Sequence, residues 1–412
     1  MRCYLIVGAG LAGATAALRL RAEGFDGRVV LIGDEPHPPY SRPPLSKAVV
    51  RGEVPPERTR LRPAGFFEKR EIEILSGVAV TDLDLTSRSV GLDAGSRLAY
   101  DALLLATGGR ARTLPGCDDI PGVYVLRTLE DAEAIRERLG PGRSLLVVGG
   151  GFIGAELAAS ARMRGSEVAV LEAEPLPLSR VLPPSVARIY AQIHRERGVT
   201  LHTGVAVTRI ENRGELRAIG SDGRAYPADA IVVAIGLVPN QELAAKAGLA
   251  VGDGILVDER CRTSAPGVYA AGDVANHPNP ILGRRIRVEH WQNAQHQGAA
   301  AACNMLGREQ IFAEVPWVWS DQYELNLQVA GLPEPSDQVV MRGNVAARCF
   351  TALMLRDGAL VAAIGVNRPD DVHAARRLIA VGARPDPARL AADEEPLELP
   401  GIGEDSERRR TA

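Results

Sequence analysis

Apolar residues in this 412-residue chain gather into short runs, most of them closed by glycine, with amphipathic stretches between them. The runs at 3–7, 28–32, 100–107, 144–148, 167–172, 201–210, 228–235 and 268–271 predict buried strands. The stretches at 14–22, 131–139 and 182–198 predict helices, giving the repeated strand–turn–helix order of an α/β chain. Shorter strands are expected at 73–83, 87–92, 216–218 and 254–257. Beyond a helix inside 287–306 the pattern changes. Residues 325–329, 338–342, 350–355 and 360–366 predict an antiparallel sheet, with Asp357-Gly358 as a hairpin signal and a helix at 372–381. Prolines at 36–47 exclude a regular helix or central strand there, so that stretch predicts a stiff loop. Residues 51–73 are charged and expected to be exposed. The acidic tail from Asp393, closed by Arg408 to Arg410, is expected to be mobile.

Two of the strand–turn–helix units carry the same chemistry. In residues 144–156, Gly149, Gly151 and Gly154 give the spacing G-x-G-x-x-G after a strand and before a helix. The first glycine allows a tight turn, the second lets a pyrophosphate approach the backbone, and the third lets helix and strand pack closely. The pyrophosphate then meets free N–H groups at the helix N-terminus. Glu172 closes the following strand, roughly 20 residues on, where an acid can accept ribose hydroxyls. Gly8, Gly10 and Gly13 repeat the spacing near the N-terminus. There the expected acid comes late: Gly33 occupies the strand end, and Asp34 and Glu35 follow, either able to hold a ribose. Two copies in one chain predict two dinucleotide sites.

Composition narrows the reading. A hydrophobic share of 46%, a charged share of 24% and a net charge of −3 are ordinary for a globular protein and give no reason to expect nucleic acid. There is no run of 18 apolar residues, and the chain enters a strand at once, so neither a membrane span nor a secretory signal is expected; the five scattered cysteines suit a reducing cytoplasm. None of them is spaced C-x-x-C, which argues against a dithiol redox centre and a metal site of that kind. Lys47, Lys69 and Lys246 are the only lysines, so a lysine inside the 36–47 loop stands out.

The ordered set GAGLAG, RPPLSK, ATGG, GGGFIGAE, AIGLVPN and YAAGDVA resembles the two-dinucleotide-domain flavoprotein superfamily. Within it RPPLSK, the pair Glu289-His290 and WSDQY are similar to the oxygenase-coupled NADH-dependent ferredoxin reductases. The resemblance runs from residue 3 to about 385. It implies an α/β fold with two Rossmann-like domains: an FAD domain at 1–113 and 244–320, an NADH domain at 114–243 inserted into it, and a C-terminal α+β domain at 321–412. It implies that Gly8, Gly10, Ala12 and Gly13 hold the FAD pyrophosphate and that Asp34 and Glu35 hold its ribose. It further assigns Arg42, Lys47, Val80, Arg112 and Arg127 to FAD, Asp273 to the ribityl chain, and Trp291 and Trp319 to the isoalloxazine. Gly149, Gly151, Ile153, Gly154, Glu156, Glu172, Gly236 and Glu289 match NADH-contacting positions. Lys47 and Glu156 are implied to lie together near the reacting flavin atom, as the catalytic pair.

The resemblance thus implies an enzyme that takes hydride from NADH and delivers single electrons from FAD to a [2Fe–2S] ferredoxin serving a cytochrome P450 or Rieske oxygenase. The 36–47 loop has no cysteine where thiol-using relatives need one, so electrons are expected to leave the flavin directly. No metal, nucleic acid or membrane is expected, and the protein is read as a monomer or weak homodimer. The alternatives are a rubredoxin reductase, or a flavoprotein similar to apoptosis-inducing factor that acts mainly by binding.

Overall fold

The computed structural model describes residues 1–117 and 119–397. Asp118 and the end of the tail, 398–412, with the expected mobility of that tail, lie outside the described residues. The chain divides into two compact units. The first comprises Met1–Pro44, Pro55–Arg110 and Leu237–Glu314; the second comprises Leu45–Val54, Ala111–Gly236 and the chain from Val315 onward.

The first unit is built on five parallel strands in the order Val268–Ala270, Ala102–Leu105, Cys3–Val7, Arg28–Gly33 and Ile72–Ser76. Side chains alternate across this sheet. Tyr4, Ile6, Val29, Leu31 and Leu104 enter a core shared with helices Leu11–Ala22 and Trp291–Met305. Leu5, Val7, Val30, Ile32, Leu103 and Leu105 enter a second core on the other face. Burial on both faces is why these strands read as unbroken apolar runs. The helix after the first glycine turn begins at Leu11, three residues earlier than its amphipathic pattern suggests, because Gly10 itself is the N-cap.

The second unit repeats the plan with parallel strands ordered Val199–Thr203, Glu167–Glu172, Ser144–Val148, Ala230–Val233 and Val123–Tyr124. Helix Phe152–Met163 follows its glycine turn. Helix Leu129–Arg136 starts earlier than the apolar pattern indicates, because Thr128 and Asp131 form a reciprocal capping box. The same unit holds a five-stranded antiparallel sheet. Its order is Trp317–Gln322, Leu325–Gly331, Ala359–Val366, Cys349–Arg356 and Gln338–Asn344. Val186, Ala187 and Tyr190 of helix Pro184–Glu196 share one core with Leu327, Val329, Phe350 and Ile364 of that sheet. The stiff loop ends at Pro44, and residues Leu45–Val49 form an irregular helical turn with a kink at Lys47. The 51–73 stretch is not uniformly exposed, since Thr59, Phe67 and Ile72 are buried.

One buried group in the first unit makes stability depend on pH. His277 is 1% exposed, and neither ring nitrogen has a hydrogen-bond partner among the described residues. Burial, reinforced by the Arg285 charge, lowers its pKa from 6.5 to about 4. The unfolded chain therefore binds a proton below pH 6.5 that the folded chain takes up only near pH 4, and stability falls as pH drops through that window. The full loss is up to about 3 kcal/mol. Urea-denaturation midpoints at about pH 7.5 and about pH 5 measure it, and His277→Leu is expected to flatten the difference.

Candidate functional site

The three glycines of each fingerprint do three different jobs. Gly8 adopts φ +111°, and a Cβ there would stand 2.1 Å from the Ala106 carbonyl oxygen. A Cβ on Gly13 would stand 2.0 Å from the Gly8 carbonyl oxygen, so only glycine lets helix and strand approach. Gly10, between them, meets nothing within 4 Å. It is the helix N-cap and supplies no capping side chain, leaving backbone N–H groups facing open space. The second unit reproduces this set. Gly149 has φ +100° and a Cβ there would lie 2.5 Å from the Ala234 oxygen, Gly154 would meet the Gly149 oxygen at 2.0 Å, and Gly151 is open. Both cradles thus fit a dinucleotide pyrophosphate, on packing grounds in two glycines and on vacancy in the third.

In the first unit, Gly33 replaces the usual strand-end acid because a Cβ there would press on Ala9 Cβ at 2.6 Å. Asp34 points to solvent, whereas Glu35 is fixed by Arg42 Nη2 at 2.5 Å and by the Tyr40 hydroxyl. Arg42 also donates to Tyr40 Oη at 2.8 Å and lies over its ring. Asp273 follows Gly272, whose N–H donates to Gln297 Oε1 at 2.9 Å. Gln297 is fully buried, and its Nε2 has no partner among the described residues. The neighbouring Gly298 lets helix Trp291–Met305 meet Ala12, since a Cβ would lie 2.3 Å from the Ala12 oxygen. A spare buried donor beside Gly272 and the Ala12 turn is a further observation that suits a phosphate- or hydroxyl-rich cofactor. Arg287 holds Glu289 at 2.6 Å and Asp253 at 3.0 Å and donates to the Asp273 carbonyl. Trp291 opens its helix, and Val80 opens strand Val80–Asp84.

In the second unit, the Glu172 carboxylate accepts the Gly150 N–H at 2.6 Å and the Glu174 N–H at 2.8 Å. The acid is thereby clamped beside the glycine turn. Ile153 is 44% exposed at the start of the helix, and a Cβ on Gly236 would meet nothing within 4 Å. The Arg112 N–H donates to the Gly236 oxygen at 2.9 Å, and Arg127 is half-buried. Lys47 Nζ lies 2.8 Å from Glu156 Oε2, with side chains 12% and 3% exposed. The same oxygen accepts the Ser46 hydroxyl at 2.5 Å, and Oε1 accepts Ser320 at 2.7 Å. Ser160, one turn beyond Glu156, donates to the Ser46 carbonyl and pins the kinked segment. Trp319, next to Ser320, stacks on Trp317 at 5.3 Å.

The first unit therefore gathers Gly8, Gly10, Ala12, Gly13, Asp34, Glu35, Arg42, Val80, Asp273, Glu289 and Trp291. The second gathers Lys47, Arg112, Arg127, Gly149, Gly151, Ile153, Gly154, Glu156, Glu172, Gly236 and Trp319. Tyr40, Ser46, Gln297, Arg287 and Ser320 escaped the sequence reading. Ser46 and Ser320 stand inside RPPLSK and WSDQY, so the motifs held the signal, but nothing local shows that both hydroxyls turn to one carboxylate. The five cysteines are free thiols, and burial pushes the Cys261 thiol far up.

The family described as pyridine nucleotide-disulphide oxidoreductase matches residues 3–298, and a reductase C-terminal family matches residues 317–399. The chain is 44% identical to the ferredoxin–NAD(+) reductase component of the anthranilate 1,2-dioxygenase system of Burkholderia cepacia, over 94% of this chain and 96% of the relative. It is 38% identical to putidaredoxin reductase of Pseudomonas putida, over 95% of each chain. A crystal structure of the covalent putidaredoxin reductase–putidaredoxin complex superposes with a TM-score of 0.93 at 37% identity, covering 96% of this chain and 97% of that one.

Proposed function

We propose a function from one premise: the chain belongs to the pyridine nucleotide-disulphide oxidoreductase family, among the ferredoxin–NAD(+) reductases of oxygenase systems. It is an FAD-dependent enzyme that oxidises NADH and passes electrons to a ferredoxin. The observation that carries this reading is the pair of glycine cradles, each with its central position open. We assign FAD to the first cradle with Glu35, Arg42, Asp273 and Gln297, and NADH to the second with Glu172 and Ile153. When bound, FAD accepts the two electrons of a hydride together and releases them singly. The protein binds and orients the two nucleotides and fixes charge at defined atoms. Lys47 and Glu156 are assigned to the hydride-transfer step on the family pattern, the buried carboxylate fixing the ammonium by a charge-assisted bond.

The acceptor we propose is a [2Fe–2S] protein of a cytochrome P450 or Rieske oxygenase, met in the cytoplasm by a monomer or weak dimer. Among the described residues no helix is long and apolar enough to cross a membrane. Cytochrome c reduction with NADH, with and without added [2Fe–2S] ferredoxin or rubredoxin, tests the assignment. Fast turnover requiring the ferredoxin is expected; turnover only with rubredoxin, or no NADH oxidation by the yellow protein, would overturn it.

Nucleotide choice follows from Glu172. Two backbone bonds fix its carboxylate, and on the assignment above that carboxylate faces the ribose hydroxyl that bears the extra phosphate in NADPH. Two unit charges 4 Å apart repel by about 4 kcal/mol at an effective dielectric of 20, less where water screens them. We expect a preference for NADH of roughly ten- to a thousandfold in kcat/KM. Glu172→Gln keeps an acceptor for the Gly150 N–H but removes the charge, and is expected to narrow that ratio by about tenfold. Equal efficiency of the unaltered enzyme with both nucleotides would refute this account.

A further inference from the structure

The Lys47–Glu156 pair is not the end of its own network. Ser320 Oγ, bonded to Glu156, accepts from Gln322 Nε2 at 3.1 Å. Gln322 Oε1 lies 2.9 Å from His194 Nε2, and His194 Nδ1 lies 3.2 Å from the Tyr323 hydroxyl. Glu156, Ser320, Gln322 and His194 are each no more than 3% exposed, and Tyr323 is half-buried. Every member belongs to the second unit, drawn from helix Phe152–Met163, helix Pro184–Glu196, strand Trp317–Gln322 and the residue after it.

The proton positions along this chain are forced, starting from the carboxylate. A carboxylate only accepts, so the Ser320 hydroxyl donates to it. Ser320 Oγ is then free only to accept, which places the Gln322 amide nitrogen against it and the amide oxygen toward His194. An amide oxygen cannot donate, so His194 carries its proton on Nε2. Its Nδ1 is therefore an acceptor, and Tyr323 donates to it. All four donors point the same way, toward Glu156, and bonds aligned head to tail polarise one another. Burial lowers the His194 pKa, in keeping with a neutral ring.

We infer that Gln322 and His194 are positioning residues of the redox site: with Ser320 and Tyr323 they form a one-way hydrogen-bond chain that orients the Glu156 carboxylate and, through it, the Lys47 ammonium. The inference rests on the role proposed above for Lys47 and Glu156. The chain holds rather than conducts, because the Gln322 carboxamide has no proton to give up without becoming an imidic acid. Several charged and titratable groups surround it among the described residues. Lys47 pairs with Glu156, and Arg51 reaches Ser160 one turn on. Arg197 lies over the Tyr323 ring and is paired with Glu324. Arg162 bears on Tyr323, and Tyr190, one turn before His194 on the same helix, feels the Asp321 charge.

The test uses the FAD-loaded, full-length enzyme. Nitrogen-15 NMR of the imidazoles, with His194 assigned through His194→Gln, is expected to show the neutral Nε2–H tautomer from about pH 8 to about pH 6. The Nδ1–H tautomer, or an imidazolium forming at the pH of a free histidine, would overturn the inference. In stopped-flow reduction by NADH, His194→Leu is expected to slow hydride transfer by about tenfold, the equivalent of one neutral hydrogen bond. NADH affinity should stay within about twofold, and His194→Gln, which keeps an N–H donor, should recover the rate. If Lys47→Met slows the step but His194→Leu does not, the inference fails while the function proposed for the pair stands. If neither variant slows it, that function fails first.

Discussion

Replacing Lys47 with methionine is expected to do two separable kinds of damage. The Glu156 carboxylate is 3% exposed and, among the described residues, keeps the Ser46 and Ser320 hydroxyls once the ammonium is gone. A buried charge stripped of its partner costs about 3–5 kcal/mol. Lys47→Met should therefore lower the urea midpoint of the holoenzyme, and the double variant Lys47→Met with Glu156→Gln should recover much of it, because a neutral amide requires no counter-charge. The rate should not follow. If the ammonium acts on the reacting nucleotides, hydride transfer falls by about a hundredfold in both variants. Stopped-flow reduction at matched FAD content separates the effects. A Lys47→Met enzyme with normal flavin and normal rate would leave the pair a purely structural ion pair.

The second large effect concerns the cradles, and turns on which glycine is changed. Valine at Gly10 meets no protein atom within 4 Å at its Cβ, and the φ of −72° and ψ of −171° there suit a β-branched residue. The protein should fold. Its new methyl groups would nevertheless fill the space before the helix N-terminus, so Gly10→Val is expected to purify colourless, with native secondary structure by circular dichroism. Gly151→Val should stay yellow but fail to be bleached by NADH. Gly13→Ala should behave differently from both, because its Cβ would press on a carbonyl at 2.0 Å that strand and helix hold in place, so the unit itself should be damaged. A yellow Gly10→Val protein with full flavin content would break the assignment of that cradle to FAD.

These contrasts show what could be read from the chain and what could not. The glycine spacings, the buried strands between them and the lone lysine of the proline-rich loop are local signals, and each reports chemistry at its own position. The antiparallel sheet was legible wherever Asp357-Gly358 and alternating residues marked a hairpin. Strand Trp317–Gln322 was not read as a strand, its run of six residues carrying no turn signal of its own. The partners of Glu156 were hidden for a different reason. Ser46 lies 110 residues before it and Ser320 lies 164 after it, and no periodicity spans such gaps. Gln297 and His277 were hidden because an amide or imidazole inside a helix or strand looks the same in sequence whether or not it has a partner. Gly33 displaced an expected acid for the sake of packing against Ala9, a contact invisible without coordinates.

The membership of residues Leu45–Val54 in the second unit bears on how this polypeptide can be made and dissected. A ribosome releases those ten residues early, yet the helix they pack on, Phe152–Met163, emerges about a hundred residues afterward, and the antiparallel sheet of the same unit later still. The first unit likewise waits for Leu237–Glu314. The first unit cannot close before Glu314 is made, nor the second before the sheet beyond Val315, so long-range closure of both is late, a topology that favours slow assembly and chaperone dependence. No single cut yields an independent half: a gene fragment beginning after Val54 loses Lys47, and one ending before Val315 loses Ser320.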